Sequence, residues 1–250
     1  MQERRSKIVD IINSQGAVSF TQLKNIFYDV SEMTIRNDLR ALDEARLIVR
    51  VHGGAKSVER IIATDDLLNR RLARNIDKKK SIAQKALSLL LPGTSLFLDS
   101  GSTVIELAKV FPDQSHLVIT SGIHCAAALA ELKQVKVFML GGTLNAASMS
   151  VNGASCCNKI REMNFDTAFL GATGYMTETG FTCGHDEESE LKKNVISRAE
   201  TKIILMDSTK IGINNTFSFA ALKDIDVIVT DDDIDKDTAT EFKKMGVKIL

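Results

Sequence analysis

The 250-residue chain has 44% hydrophobic and 26% charged residues with only two prolines, which fits a globular protein and excludes disordered and fibrous classes. Its length suits a small domain joined to a larger one. The 32 basic and 32 acidic side chains balance, so overall charge points neither to nucleic acid nor to a membrane surface, and any such assignment must rest on motif geometry.

The opening segment MQERRSKIVDIINSQG alternates charged and apolar residues at helical spacing, unlike a secretory leader. The apolar run from Ala86 to Leu91 is broken by Ser88 and stopped by Pro92, far short of the ~20 residues that cross a bilayer. A soluble, cytoplasmic protein with no membrane partner is expected. Cys125, Cys156, Cys157 and Cys183 have no C-x-x-C spacing, and Cys183 with His185 offers only two of the ligands a tetrahedral site needs. Reduced thiols are expected, with no metal and no cofactor.

Residues 1–60 carry ten Lys or Arg against eight Asp or Glu, a net of +2. Ile8, Ile11 and Ile12 fall on one face of a helix that starts near Gln2 and stops at Gly16. Ser19 and Gln22 have the form of a capping box, and Leu23 with Phe27 makes the apolar stripe of a short second helix. After a turn at Tyr28 to Val30, the Ser31 hydroxyl can cap a third helix running to about Arg46, and Glu32 suits its dipole. Ile35, Leu39 and Leu42 then face inward, which leaves Ser31, Thr34, Arg36, Asn37 and Arg40 toward solvent on the N-terminal half.

Arg can be bidentate to guanine and Asn to adenine, while Ser or Thr serves a base edge or a phosphate, so these residue types suit a recognition helix. An ordinary amphipathic helix would carry a similar outer face. The following residues favour DNA: Leu47 to Val51 reads as a short strand, and His52-Gly53-Gly54 as a tight turn into another. A helix-turn-helix with a hairpin wing is the compact explanation, with His52 and Gly53 as further DNA-contact candidates. VSEMTIRNDLRALDEARLIVRVHGGA, from Val30 to Ala55, resembles the signature segment of DeoR-family transcriptional regulators. It departs from the family pattern at Asn37, where a second Arg is usual, and at Ala45, where Gly is usual. The first departure leaves the operator sequence open; the second implies a helix that ends without a left-handed glycine.

Residues 59–77 are expected to link a winged helix-turn-helix over 1–58 to a larger domain over 78–250. The charges from Asp65 to Ser81 (Arg70, Arg71, Arg74 and Lys78 to Lys80 against Asp65, Asp66 and Asp77) suggest a mostly helical connector with a solvated face. From Ser95 on, apolar strands (SLFLD, HLVIT, VKVFML, DTAFLG, KIILMD, DVIVT, VKIL) alternate with helical segments, which predicts an α/β domain with a mostly parallel sheet. Ligands in such sheets lie beyond the carboxyl ends of the strands. Three hydroxyl-rich or glycine-rich loops follow successive strands: Asp99-Ser100-Gly101-Ser102-Thr103, Thr120-Ser121-Gly122 and Gly141-Gly142-Thr143. Each can present backbone N–H groups to an anion. Lys210, in Asp207-Ser-Thr-Lys210, can supply the opposing charge.

This part of the chain resembles the DeoR-family sensor domain, itself similar in fold to ribose-5-phosphate isomerase. The resemblance implies a phosphorylated sugar or related metabolite held by Ser100 to Thr103 and Lys210. An isomerase would need a positioned carboxylate base, and the resembling stretch Gly171-Ala172-Thr173-Gly174 has none. Glu187, Glu188 and Glu190 start an apparent helix and suit its N-terminus or a sugar hydroxyl. A sensor is therefore expected, not an enzyme, and a purely dimerising domain would have no use for three such loops. Because one small module rarely supplies enough contacts for a specific site, a homo-oligomer, dimer or tetramer, is expected on double-stranded operator DNA.

Overall fold

The computed structural model describes residues 2–15, 17–28, 30–45, 47–51, 53–57 and 68–250. The chain forms two compact units, Met1–Asp66 and Leu67–Leu250. In the first, helices α1 (Gln2–Gln15), α2 (Phe20–Ile26) and α3 (Glu32–Glu44) accompany strands β1 (Ala17–Ser19), β2 (Ile48–Val51) and β3 (Gly54–Ser57). The strands form an antiparallel sheet in the order β1-β3-β2, so the wing is a hairpin backed by a third strand that hydropathy did not reveal. The Ser19–Gln22 capping box is present in full. Ala45 at the end of α3 is itself in right-handed geometry, and the Leu47 N–H donates back to the Leu42 carbonyl at 2.9 Å.

The core of this unit is small, with Ile8, Ile12, Leu23, Ile35, Leu39 and Leu42 at its centre. Each large apolar side chain buried there contributes about 1.5–3 kcal/mol. With so few of them, polar ties between the helices matter more to the unit's rigidity. Asp38, 2% exposed, accepts from Arg4 Nε at 2.6 Å and Arg5 Nε at 2.8 Å, which fastens α3 to α1. Burial alone would raise its pKa, but the two guanidinium groups outweigh that and hold the carboxyl below its ordinary range.

The second unit begins with α4 (Leu68–Ala73) and α5 (Ile76–Ala86), then continues β4 (Ser95–Leu98), α6 (Ser102–Lys109), β5 (His116–Thr120), α7 (Ile123–Leu129) and β6 (Val135–Met139). The hairpin β7 (Thr143–Asn145) and β8 (Ser150–Asn152), α8 (Ala154–Arg161), β9 (Phe165–Gly171), β10 (Gly174–Met176), β11 (Gly180–Cys183) and α9 (Asp186–Ile196) follow. The unit closes with β12 (Ala199–Leu205), β13 (Phe217–Ala220), β14 (Val227–Val229), α10 (Lys236–Lys244) and β15 (Lys248–Ile249). Seven strands form one parallel sheet in the order β15-β14-β12-β9-β4-β5-β6. Each coincides with one of the seven apolar runs in the sequence. β10, β11 and β13 form a separate antiparallel sheet.

The central strands are apolar throughout because both faces of the sheet are covered. Phe97, Ile119, Leu170 and Ile204 pack on one face. Leu96, Leu98, Val118, Phe169 and Leu205 pack on the other. Residues 59–67 of the expected connector lie outside the described residues. Residues 68–77 pack into the larger unit, where Leu68 is buried with Ile82 and Leu96. Of the connector charges, Arg70, Arg74, Asp77 and Lys80 are exposed, but Lys78 and Lys79 are not part of a solvated face. Lys78 Nζ lies 2.8 Å from Asp231 Oδ1 and 2.7 Å from Asp233 Oδ2, and Lys79 is 3% exposed. Among the described residues no helix is long and apolar enough to cross a membrane.

Candidate functional site

The first unit places its polar candidates on α3. Ser31 Oγ accepts from the Thr34 N–H at 3.2 Å and lies 2.8 Å from Thr34 Oγ1, so both hydroxyls belong to the helix cap. Arg36, Asn37 and Arg40 are exposed. The Arg36 guanidinium lies 4.2 Å from the centroid of the Phe20 ring and 3.9 Å from Glu32, contacts that orient the side chain on the protein surface. Gly53 turns the wing at φ +83°, a conformation that favours glycine; His52 lies outside the described residues. Asp38 was missed as a site-organising residue, although a carboxylate between Ile35 and Leu39 on the inward stripe is a legible signal.

In the second unit the chain lays β4, β5 and β6 toward one edge, then returns to place β9, β12, β14 and β15 on the other side of β4. The strand order reverses between β4 and β9, so their carboxyl ends flank a crevice. Glycines let the two ends meet: a Cβ on Gly171 would lie 3.3 Å from Asp99 Oδ2 and 3.5 Å from the Gly101 Cα. The cleft there is lined by Asp99, Gly101, Ser102 and Thr103 after β4, by Gly171, Ala172 and Thr173 at the end of β9, and by Asp207 and Lys210 after β12. Gly101 caps α6 with no side-chain hydrogen bond, so no side chain occupies the capping position of that helix N-terminus.

Cations gather at this end. Arg71, Arg74 and Lys79, from α4, α5 and the turn between them, line the cleft with Lys210. Lys79 Nζ donates to the backbone carbonyls of Arg71 and, at 2.6 Å, Arg74. Burial lowers its pKa to about 8; Asp207 opposes the shift, and Lys210, Arg71 and Arg74 add to it. The turn before α5 is held by Asn75, at φ +53°, whose Nδ2 donates to Asp207 Oδ1 at 3.2 Å and Thr209 Oγ1 at 3.1 Å.

On the other wall Lys192, fully buried, donates to Asp99 Oδ2, to the Gly171 carbonyl at 2.9 Å, and pairs with Glu188 Oε1 at 3.1 Å. Burial works against its charge, but Asp99 and Glu188 outweigh it and raise the amine's pKa. Asp99 Oδ2 also accepts from the Gly171 N–H at 2.9 Å, so the carboxylate ties β4 to β9. Glu188 faces this cleft, whereas Glu187 and Glu190 line a separate hollow with Arg161.

The structure thus brings together Asp99, Gly101, Ser102, Thr103 and Lys210. Ser100 is buried beside Gly122, whose Cβ would meet the Ser100 Cα at 2.9 Å. Thr120, Ser121, Gly141 and Gly142 do not line the cleft. They lie at or after the ends of β5 and β6, which are beyond β4 on the side away from β9. There Thr120 Oγ1 accepts from the Gly122 N–H at 3.0 Å, and the Ser121 carbonyl from the Val151 N–H at 2.9 Å. The Gly141 carbonyl accepts from Cys156 Sγ at 3.2 Å, and a Cβ on Gly142 would strike the Asn152 carbonyl oxygen at 2.6 Å. The sequence did not single out Arg71, Arg74, Lys79 or Lys192 as cleft residues; their basic clusters were legible, their convergence was not.

A winged helix-turn-helix followed by an α/β unit with a cleft at its switch point is the architecture of a two-domain transcriptional regulator. Residues 4–61 match the model of the DeoR-like helix-turn-helix domain, and residues 74–232 that of the DeoR C terminal sensor domain. The chain belongs to the DeoR family. It is 35% identical to the HTH-type transcriptional regulator GolR of Listeria innocua over 99% of this chain and 97% of that one. A putative aga operon transcriptional repressor of Escherichia coli O157:H7 is 31% identical, over 99% and 93%. Among solved structures, ribose 5-phosphate isomerase A of Methanocaldococcus jannaschii matches with a TM-score of 0.41 at 19% identity, over 55% of each chain.

Proposed function

We propose that the protein is a cytoplasmic, sequence-specific repressor of a carbohydrate-metabolism operon, binding double-stranded operator DNA as a homo-oligomer and released by a phosphorylated sugar in its C-terminal unit. The observation that carries this reading is the polarity of the cleft. Arg71, Arg74, Lys79 and Lys210 line it together with the N-terminus of α6, and Glu188 lines it with the Lys192 pair. Four cations and free helix amides suit a phosphate dianion; Glu188 suits a sugar hydroxyl. Of the cleft's carboxylates, Asp99 and Glu188 are engaged with Lys192 and Asp207 accepts from Asn75 and the Thr209 N–H, so the cleft is assigned binding and no catalysis.

DNA contacts are assigned to Ser31, Thr34, Arg36, Asn37, Arg40 and Gly53 on α3 and the wing, together with His52. Ligand and DNA then oppose each other by about 1–3 kcal/mol, each weakening the other by the same factor. A thermal-shift screen against sugar phosphates identifies the effector, since a ligand of the folded state raises apparent stability. With that compound in hand, Lys210→Ala and Ser102→Asp should abolish the response in calorimetry while operator binding survives. Undiminished ligand binding by both variants would move the site elsewhere in the unit.

A further inference from the structure

The two edges of the seven-stranded sheet differ. β15 is only two residues long, and very short edges resist further pairing. β6, VKVFM, runs five residues in unbroken register with β5, from His116↔Val135 to Thr120↔Met139. Among the described residues no strand pairs with its outer side. The Leu140 N–H donates inward to the Thr120 carbonyl at 2.9 Å. By alternation the N–H and C=O groups of Val135, Val137 and Met139 point outward. Phe138 pairs with buried Ile119, and Leu117, paired with Lys136, lies on the same face; Phe138 and Leu117 are 39% and 40% exposed. A five-residue edge, apolar at every position but Lys136 and with open backbone groups, is a template for another strand.

We propose that β6 pairs antiparallel with β6 of a second copy about a twofold axis at Val137, which joins the two sheets into one. This rests on the proposed homo-oligomer and assigns its surface. The register centred on Val137 keeps all five residues paired and is self-complementary. Lys136 falls opposite Phe138 of the partner subunit, an ammonium against an aromatic ring, and Val135 falls opposite Met139 of the partner subunit. A register centred on Lys136 would instead set two lysines face to face. The strand sequence therefore favours its own copy in one alignment.

Two variants of the full chain test this. In the Val137-centred pair the two Val137 Cα atoms lie about 5.5 Å apart, within disulfide range. Val137→Cys should give a covalent dimer under mild oxidation, and Leu117→Cys, one strand further in, should not. Phe138→Lys places a lysine opposite Lys136 of the partner subunit twice over and should weaken the dimer about tenfold in sedimentation. Its melting temperature checks the fold, and should it misfold, the cross-link decides. If the wild-type protein is dimeric and Val137→Cys fails to cross-link, or a folded Phe138→Lys keeps wild-type affinity, the edge assignment is overturned and the homo-oligomer stands. A wild-type monomer at micromolar concentration overturns both.

Discussion

The two units keep their functional charges in opposite ways. α3 exposes Arg36, Asn37 and Arg40 on one face of one helix, positioned by a local cap and by the Phe20 ring. The cleft of the larger unit buries Asp99, Lys79 and Lys192, drawn from segments far apart in the chain. An exposed charge on a stable helix contributes to binding and little to folding, whereas a buried one is part of the fold that holds it. Substitution should therefore separate binding from stability in the first unit and merge them in the second.

The sharpest contrast is at Asp99. Replacement by Ala leaves the buried Lys192 ammonium with Glu188 as its remaining carboxylate and frees the Gly171 N–H, and should cost the larger unit about 3–5 kcal/mol, read by chemical denaturation of the full chain. Arg36→Ala or Arg40→Ala should leave the melting temperature almost unchanged and weaken operator binding by about 1–3 kcal/mol for a base contact, or flatten its salt dependence for a phosphate contact. Unchanged binding and salt slope in both would remove α3 as the reading helix.

A smaller effect is expected from pH. Lys79 has its pKa lowered to about 8 in the cleft, and an anionic ligand favours its protonated form, so binding takes up protons near and above that pH. Affinity for a phosphorylated ligand should fall as pH rises through about 8, by at most about tenfold per unit. Calorimetry at pH 8 in two buffers of different ionisation enthalpy would register the uptake; equal heats would remove Lys79 from the ligand's influence.

The smallest effect is expected at Ser121, 1% exposed, whose Oγ has no hydrogen-bond partner among the described residues. Ser121→Ala should change stability by less than about 1 kcal/mol, because no hydrogen bond is lost, and leave ligand binding intact. A lost ligand response in this variant would return the loop after β5 to the site.

The local part of the fold is legible in residue spacing. Caps at Ser19 and Ser31, the apolar stripe of α3 and the seven apolar strand runs rest on interactions between residues a few positions apart, which spacing records directly. The family signature from Val30 to Ala55 is local for the same reason. Which loops meet depends on the packing of segments far apart in the chain. The chain order β4, β5, β6 suggested three equivalent loops, but return of the chain to the other side of β4 put the switch point between β4 and β9. That reversal left Thr120 and Gly141 on the far side and brought Arg71, Arg74, Lys79 and Lys192 to Asp99. Strand order is fixed by which apolar faces the crossing helices cover, a sum over contacts between distant residues that no local spacing encodes.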